Sequence, residues 1–370
     1  MRFTVTNETL QTELALLSSV AGGKGNSIPV LQNILIESIE DSSLKFTSSD
    51  LDVTLYCQAE ARVTEPGKVL LPLAKLLAIT KTLPKAADLN FRSIDNGGAN
   101  LTVERAAFKL LAPDAGQYPE LPEAKGSSIT ISANAFRSMI ESTIYAITQE
   151  ESRYALSGAK VEINEEGMRM VTTDGHRLAL IDSKQVTSAE PIELLIPKKA
   201  LAEMSKITNG HEGSLNFSTD ENHIYFQVGT RTLISRLTYG QFPNYEMVIP
   251  KENNLIVTMP AAAFREAIKR IALMADDRSH AIQLEIKENE IRMSAQSADQ
   301  GEAVETIPAE YDGEELTIGF NSNYLLDYYR LFQNGAAVKM ELKDANSQIR
   351  MQPAEATEDA PISIIMPMRI

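Results

Sequence analysis

Residues 128–144 read Ser128-Ile129-Thr130-Ile131-Ser132-Ala133-Asn134-Ala135-Phe136-Arg137-Ser138-Met139-Ile140-Glu141-Ser142-Thr143-Ile144. Ile129 and Ile131 alternate with polar neighbours, the period of a strand. Phe136, Met139, Ile140 and Ile144 then recur at three- and four-residue spacing, the period of a helix buried on one face. The same plan opens twice more. Arg2-Phe3-Thr4-Val5 leads into Leu10, Leu14, Leu17 and Val20, and Leu255-Ile256-Val257-Thr258 leads into Phe264, Ile268, Ile271 and Leu273. The starts lie about 127 residues apart, the mark of a triplicated unit.

A second strand–helix pair recurs inside each copy. Val69-Leu70-Leu71-Pro72 precedes Leu76, Leu77 and Ile79. Leu194-Leu195-Ile196-Pro197 precedes Leu201 and Met204. Leu316-Thr317-Ile318-Gly319 precedes Tyr324, Leu325, Tyr328 and Leu331. Proline suits a helix start, where its missing N–H has no partner to lose. Between these units, Leu51, Val53, Leu55, Cys57, Ala59, Ala61 and Val63 alternate with period two, as do Ile282, Leu284 and Ile286, then Ile291, Met293 and Ala295 beyond the turn Lys287-Glu288-Asn289. Gly116-Gln117-Tyr118-Pro119-Glu120 closes the first copy and Gly240-Gln241-Phe242-Pro243-Asn244-Tyr245 the second. Helices are expected over 7–21, 72–83, 132–148, 197–208, 260–274 and 321–333. Each copy then holds two helices packed on roughly eight antiparallel strands, an α+β arrangement. The expected domains are 1–125, 126–252 and 253–370.

Chemistry is sparse. The four histidines, His176, His211, His223 and His280, have no metal-ligand spacing. Gly22-Gly23-Lys24-Gly25 lacks the length and the Lys-Ser/Thr ending of a phosphate loop. Thr172-Thr173-Asp174-Gly175-His176-Arg177 offers an Asp near a His, which could serve a hydrolase. Asp-Gly is equally a hairpin signal between Met168-Met170 and Leu178-Leu180. The first copy carries Ser48-Ser49-Asp50-Leu51 at the same place, which favours the turn. Cys57 is the only cysteine, so no internal disulfide can form and a cytoplasmic setting is expected. Met1-Arg2-Phe3-Thr4-Val5 reads as a strand rather than a secretory leader. No apolar run approaches the roughly 18–20 residues that span a bilayer.

The formal net charge of −15 argues against nucleic acid. The charge is unevenly spread, however. The six expected helices hold ten Lys or Arg (Lys75, Lys81, Arg137, Lys198, Lys199, Lys206, Arg265, Lys269, Arg270 and Arg330) and six Asp or Glu, a balance of +4, which leaves −19 on the rest. Basic helices and an acidic remainder suit a surface that faces phosphates weakly and without sequence preference, while the acidic exterior repels DNA from elsewhere.

Along its whole length the chain resembles the bacterial DNA sliding clamp, the beta subunit of DNA polymerase III. The resemblance is carried by the triplication, by Thr173-Asp174-Gly175-His176-Arg177-Leu178, by Gly240–Tyr245 and by Met366-Pro367-Met368-Arg369-Ile370. It implies three clamp domains per chain and a head-to-tail homodimeric ring around double-stranded DNA. It implies no catalytic activity and no cofactor. A clamp loader, the polymerase III alpha subunit and other proteins would dock through short peptides. The implied peptide pocket comprises Leu156, Thr173, Gly175, His176, Arg177, Leu178, Pro243, Val248, Ile364, Ile365, Met366, Pro367, Met368 and Arg369, with Arg153, Asn321, Tyr324 and Ser347 as the adjoining subsite for the peptide's polar end. It leads one to expect a basic residue where Met247 stands and an aromatic one at Ala155. Lys24, Gln149, Lys198 and Lys199 match positions that face the DNA, and the other helix cations join them on charge alone. For the dimer seam, Phe108 and Leu110 map against Leu273 and Met274, with Arg105 and Lys109 toward Glu302 and Glu305. A peptide-binding scaffold of the same architecture that never encircles DNA is the alternative.

Overall fold

In the helix Ala261–Ile271, Ala261, Phe264, Ala267, Ile268 and Ile271 are buried while Arg265, Glu266, Lys269 and Arg270 lie outside that stripe. The three- and four-residue spacing puts one face on a core, and each large side chain so buried contributes about 2 kcal/mol. Phe264 meets Tyr329 of the helix Ser322–Tyr329 at 4.7 Å between rings. The other helices are Asn7–Leu17, Leu73–Thr80, Ala133–Thr143 and Lys198–Thr208. All six fall where the periodicity puts them, but several are shorter than expected. The first stops at Leu17 because the Ser18 and Ser19 hydroxyls donate to the Ala15 and Leu16 carbonyls and help close the chain into a turn. The third tightens after Thr143 into a 3-10 turn over Ile144–Ala146.

The structure, a computed structural model, describes residues 1–21, 28–40, 42–95, 97–122, 128–148, 150, 153–297 and 301–369. It divides into two compact units, Met1–Arg137 with Lys199–Leu237, and Ser138–Lys198 with Thr238–Ile370. The first unit holds a five-stranded and an eight-stranded sheet. The second holds an eight-stranded and a four-stranded sheet. All strand pairings are antiparallel.

Each eight-stranded sheet joins strands from two consecutive copies of the repeat. In the first unit Val53–Glu60 pairs with Arg231–Arg236, Tyr56 opposite Thr232 and Leu55 opposite Leu233. In the second, Arg177–Ser183 pairs with Ile362–Ile365, Leu180 opposite Ile362 and Ala179 opposite Ser363. The copies can be aligned by following cross-strand partners from the helix starts. Leu70, Leu195 and Gly319 each stand three residues before a helix. Their rows run through Leu35, Thr47 and Tyr56; through Lys160, Val171 and Leu180; and through Gln283, Ser294 and Val304. Phe3, Ile129 and Val257 each stand four residues before a helix. Their rows end on Phe108, Leu233 and Ser363. The two observed joins are therefore the same join in the same register.

The alternating run 51–63 is not one strand. Leu51 sits in a turn at φ 78, and Ala61 separates Val53–Glu60 from Arg62–Glu65. Arg62–Glu65 pairs with Arg2–Thr6 in the five-stranded sheet.

Candidate functional site

The strands Gly167–Thr173 and Arg177–Ser183 are joined by Asp174-Gly175-His176. Asp174 Oδ1 accepts from the backbone N–H groups of His176 and Arg177, at 3.0 and 3.1 Å. The Thr173 hydroxyl donates to the Arg177 carbonyl at 2.6 Å and accepts from the Gly175 N–H at 3.1 Å. Gly175 has φ 92, a backbone that side chains rarely adopt. The turn thereby aims Arg177 inward, where its side chain is only 9% exposed.

The Arg177 guanidinium meets Asp174 at 3.0 Å and Asp327 at 2.7 Å, and donates to the Tyr145 carbonyl at 2.7 Å. It also lies 4.5 Å from the Tyr324 ring centre and 5.3 Å from that of Tyr145. His176 stacks on Tyr324 at 6.4 Å and is exposed. Lys198 sits beside this cluster and donates to the Ile147 carbonyl at 3.3 Å. Burial lowers its pKa, and the positive charge of Arg177 adds to that effect.

Leu178 points to the other side of its strand. It packs with Val171, Leu180, Tyr245 and Ile364, edged by Phe242, Ile249 and Ile362. Tyr245 belongs to the 3-10 turn Tyr245–Val248, and its hydroxyl donates to Glu162. Val248 is 40% exposed on that turn, and its carbonyl accepts from Gln348. The tail is fixed by two backbone bonds, the Met366 N–H to the His176 carbonyl at 3.0 Å and the Met368 N–H to the Gly319 carbonyl at 2.8 Å. Arg153 donates to the Asp174 carbonyl at 3.0 Å and pairs with Glu150. Turns and strands far apart in sequence thus converge on the two faces of the strand Arg177–Ser183.

Of the expected residues, Thr173, Gly175, His176, Arg177, Leu178, Ile364, Met366, Arg153 and Tyr324 are brought together around the Asp174-Gly175-His176 turn and the strand that follows it. Leu156 lies in the 3-10 turn after Arg153, half-buried, and its carbonyl accepts from Thr148. Pro243 is exposed between Phe242 and Tyr245; Pro367 and Met368 are half-buried and Arg369 exposed. Asn321 caps its helix by accepting from the Asn323 N–H, and donates to the Ser279 carbonyl. Ser347 closes a turn on Asp344, one residue before Gln348. Ile365 is a correction. A strand alternates its side chains, so Ile365 enters the core of the helix Ala261–Ile271 while Ile364 faces Leu178. Asp327, Tyr145 and Tyr245 were not expected at the site. Asp327 and Arg177 are 150 residues apart in the chain, and no local signal links them.

Asp174 and His176 do not form a dyad in the observed contacts. The carboxylate closes the turn and neutralises Arg177, and the imidazole stacks on Tyr324. Among the described residues no group of three or more His, Cys, Asp and Glu could hold a metal, and no helix is long and apolar enough to cross a membrane.

Among the expected DNA-facing residues, Lys24 and Gln149 lie outside the described residues. Lys75 and Lys81 are exposed. Others have partners within the chain. Lys199 pairs with Asp50, Lys206 with Glu203, Arg265 and Lys269 with Glu266, and Arg330 with Asp327. Arg137 reaches Asn209. Arg270 pairs with Glu305 at 2.5 Å, so residues expected on two different surfaces share one.

At the expected seam, Leu273 is 74% exposed, Met274 and Phe108 are half-buried, and Arg105, Lys109 and Glu302 are exposed. Leu110 is a correction. It is only 5% exposed, turned into its own core, and the apolar side chain offered outward at that strand's end is Leu111, 65% exposed.

Three family models match the chain in order. These are the N-terminal domain of the DNA polymerase III beta subunit over residues 1–122, its central domain over 130–244 and its C-terminal domain over 246–369. The beta sliding clamp of Pseudomonas putida is 32% identical over 373 residues, covering 100% of both chains. That of Escherichia coli K12 is 29% identical with the same coverage. The crystal structure of a DnaN sliding clamp from Pseudomonas aeruginosa bound to griselimycin superposes with a TM-score of 0.94 at 30% identity, covering 100% of each chain. A Caulobacter crescentus beta sliding clamp does so at 0.92 and 29%, covering 100% of this chain and 99% of that one.

Proposed function

The chain belongs to the DNA polymerase III beta subunit family, the beta sliding clamps, and from that premise we infer that it is a non-catalytic processivity factor that encircles duplex DNA and tethers a polymerase to it. The observation that carries this reading is a pair of unpaired sheet edges. Val53–Glu60, Arg177–Ser183 and Gly301–Pro308 hold the same place in the three copies, as do Ala106–Leu110, Arg231–Arg236 and Ile362–Ile365. Two of the three possible joins between these sets are made within the chain. Gly301–Pro308 and Ala106–Leu110 remain as outer strands of their sheets. They are the two halves of the same join, and a second copy would supply it in the repeated order. A head-to-tail pair of chains satisfies both edges and closes.

The register carries over. Val304 corresponds to Tyr56 and Leu180, and Phe108 to Leu233 and Ser363. The intermolecular pairing then sets Phe108 opposite Ala303 and Lys109 opposite Glu302. Leu273 and Met274 lie beside it with Leu111, and burial of these apolar groups outweighs the rim ion pairs.

The helix cations support weak contact with phosphates, led by Lys75 and Lys81. Lys24 and Gln149 belong to the same proposal. Lys198, Lys199, Lys206, Arg137, Arg265, Lys269 and Arg270 contribute less, since each already has a partner in the chain. The surface around the Asp174-Gly175-His176 turn, Val248 and the tail from Met366 is the proposed docking site for short peptides of the clamp loader, the alpha subunit and other partners in the cytoplasm.

The test is loading onto nicked circular DNA with a clamp loader and ATP, followed by a single cut. Retention on the circle and rapid loss after cutting support encirclement. Binding that survives the cut overturns it, and failure to load with a loader active on another clamp favours the scaffold.

A further inference from the structure

We propose that the first unit carries a binding site for a small free carboxylate with an apolar or aromatic body, in a cavity lined by Thr47, Tyr56 and Tyr118.

The cavity has a volume of about 700 Å³ and lies between one sheet face and the segment 115–122. That volume is in the range of sites that enclose small ligands. Cross-strand register puts Leu35, Thr47 and Tyr56 in one row on that face. Thr232 continues the row, and Ile234, two residues on, shares its face. The matching row of the second copy holds Val171 and Leu180, which pack with the Tyr245 ring in an apolar cluster. In the first copy Thr47 and Tyr56 stand at those two positions. Leu121, which matches Tyr245 in the closing signature, is aliphatic and only half-buried. Space is therefore left over the sheet, and its lining is more polar.

The polar groups there lack partners of their own. Thr47 is 1% exposed, and its hydroxyl has no hydrogen-bond partner among the described residues. The buried Tyr118 hydroxyl finds no acceptor among them either. Burial pushes its pKa up, with the Ser49 N–H opposing only in part, so it stays a protonated donor. A buried hydroxyl without a partner is costly, and an acceptor brought into the cavity removes that cost.

Lys45 supplies the charge. It stands opposite Glu37 in the register, yet its ammonium lies 4.6 Å from the centre of the Tyr56 ring. Among the described residues it forms no ion pair. The ammonium is thus turned toward the row of Thr47 rather than toward Glu37. Lys68, also opposite Glu37, offsets that carboxylate at the rim. One free cation and two hydroxyls beside Leu35, Ile234 and two aromatic rings are the complement of a carboxylate on an apolar body.

The experiment is isothermal titration calorimetry on the full chain. Its probes are hydrocinnamate, the neutral hydrocinnamamide, and acetate, which has the charge but no body. Hydrocinnamate is expected to bind about tenfold tighter than either of the others. Lys45→Met should cost hydrocinnamate about tenfold and the amide less than about twofold. Thr47→Val, which installs the residue found at the matching position of the second copy, should cost about fivefold with an unchanged thermal melt. Equal binding of hydrocinnamate and its amide overturns the proposal. So does a Lys45→Met chain with wild-type affinity, or the lack of saturable hydrocinnamate binding up to about 10 mM. A fourth probe, glycyl-glycyl-phenylalanine, carries the same ring and carboxylate at a peptide end. Weaker binding than hydrocinnamate supports a free molecule as the occupant, and tighter binding overturns that in favour of a partner's C-terminus.

Discussion

Arg177 Nη1 lies 2.7 Å from Asp327 Oδ2, joining the strand Arg177–Ser183 to the helix Ser322–Tyr329. Asp174 holds the same guanidinium from the other side, and all three side chains are largely buried, at 9%, 15% and 20% exposure. Two carboxylates and one guanidinium form a largely buried polar cluster between that strand and that helix.

Removing the cation should therefore be costly. Arg177→Ala leaves Asp174 and Asp327 facing each other without their shared partner, a loss of about 3 kcal/mol. Urea unfolding followed by circular dichroism measures it. An unchanged midpoint would show that water replaces the guanidinium at no cost.

The register inferred from the repeat predicts a charge pair between chains. Lys109→Glu sets like charges opposite Glu302 and should weaken the dimer about five-fold, while adding Glu302→Lys should restore it. Sedimentation equilibrium reads both. A double variant as weak as the single one removes the proposed pairing.

Leu273 is 74% exposed in one chain. Leu273→Asp places a charge in a seam that needs it dry, and we expect monomers at micromolar concentration. Size-exclusion chromatography with light scattering decides this. A persisting dimer would move the seam elsewhere.

Truncation after Ile365 removes Met366, which is bonded to His176, and Met368, which is bonded to Gly319. Polymerase stimulation should vanish while the dimer persists. Full stimulation by the truncated chain would show that the tail is no part of the docking cleft.

Asp220 gives a pH-dependent contribution to stability. Partial burial alone would raise its pKa. The Tyr225 hydroxyl, at 2.6 Å, and the Asn222 and His223 N–H groups overcome that and hold it down at about 2. A carboxyl depressed in the folded state stabilises above its unfolded pKa, near 3.9. That stability is lost as pH falls from there toward 2. Its side chain is 34% exposed, so solvent screening reduces the effect to about 1 kcal/mol. Thermal melts of wild type and Asp220→Asn should differ at pH 6 and converge near pH 2. A constant difference would mean that the carboxylate form is not the one preferred.

The strand–helix units were legible because their periods are local. Phe264, Ile268 and Ile271 announce a helix face with no knowledge of what covers it. The Asp174-Gly175 turn was legible for the same reason, since a short side chain bonding to its own backbone needs no distant partner. Helix ends were less so. Ser18 and Ser19 compete for carbonyls in a way that a count of apolar spacing does not register. Ile365 and Leu110 were misjudged at the level of which way a strand residue points. A one-residue shift reverses every side chain, and only the partner strand fixes it.

By itself the sequence determined the triplication, the antiparallel α+β units, the basic balance of the helices and the turn that carries Arg177, because each follows from spacing and chemistry within a few residues. The tertiary structure alone decided that Asp327 and Tyr145 receive Arg177 and that Arg270 meets Glu305. It also decided that Ala106–Leu110 and Gly301–Pro308 are outer strands of their sheets. These depend on register and on contacts between segments from about 30 to 150 residues apart, where the free energy lies in burial and pairing that no local pattern encodes.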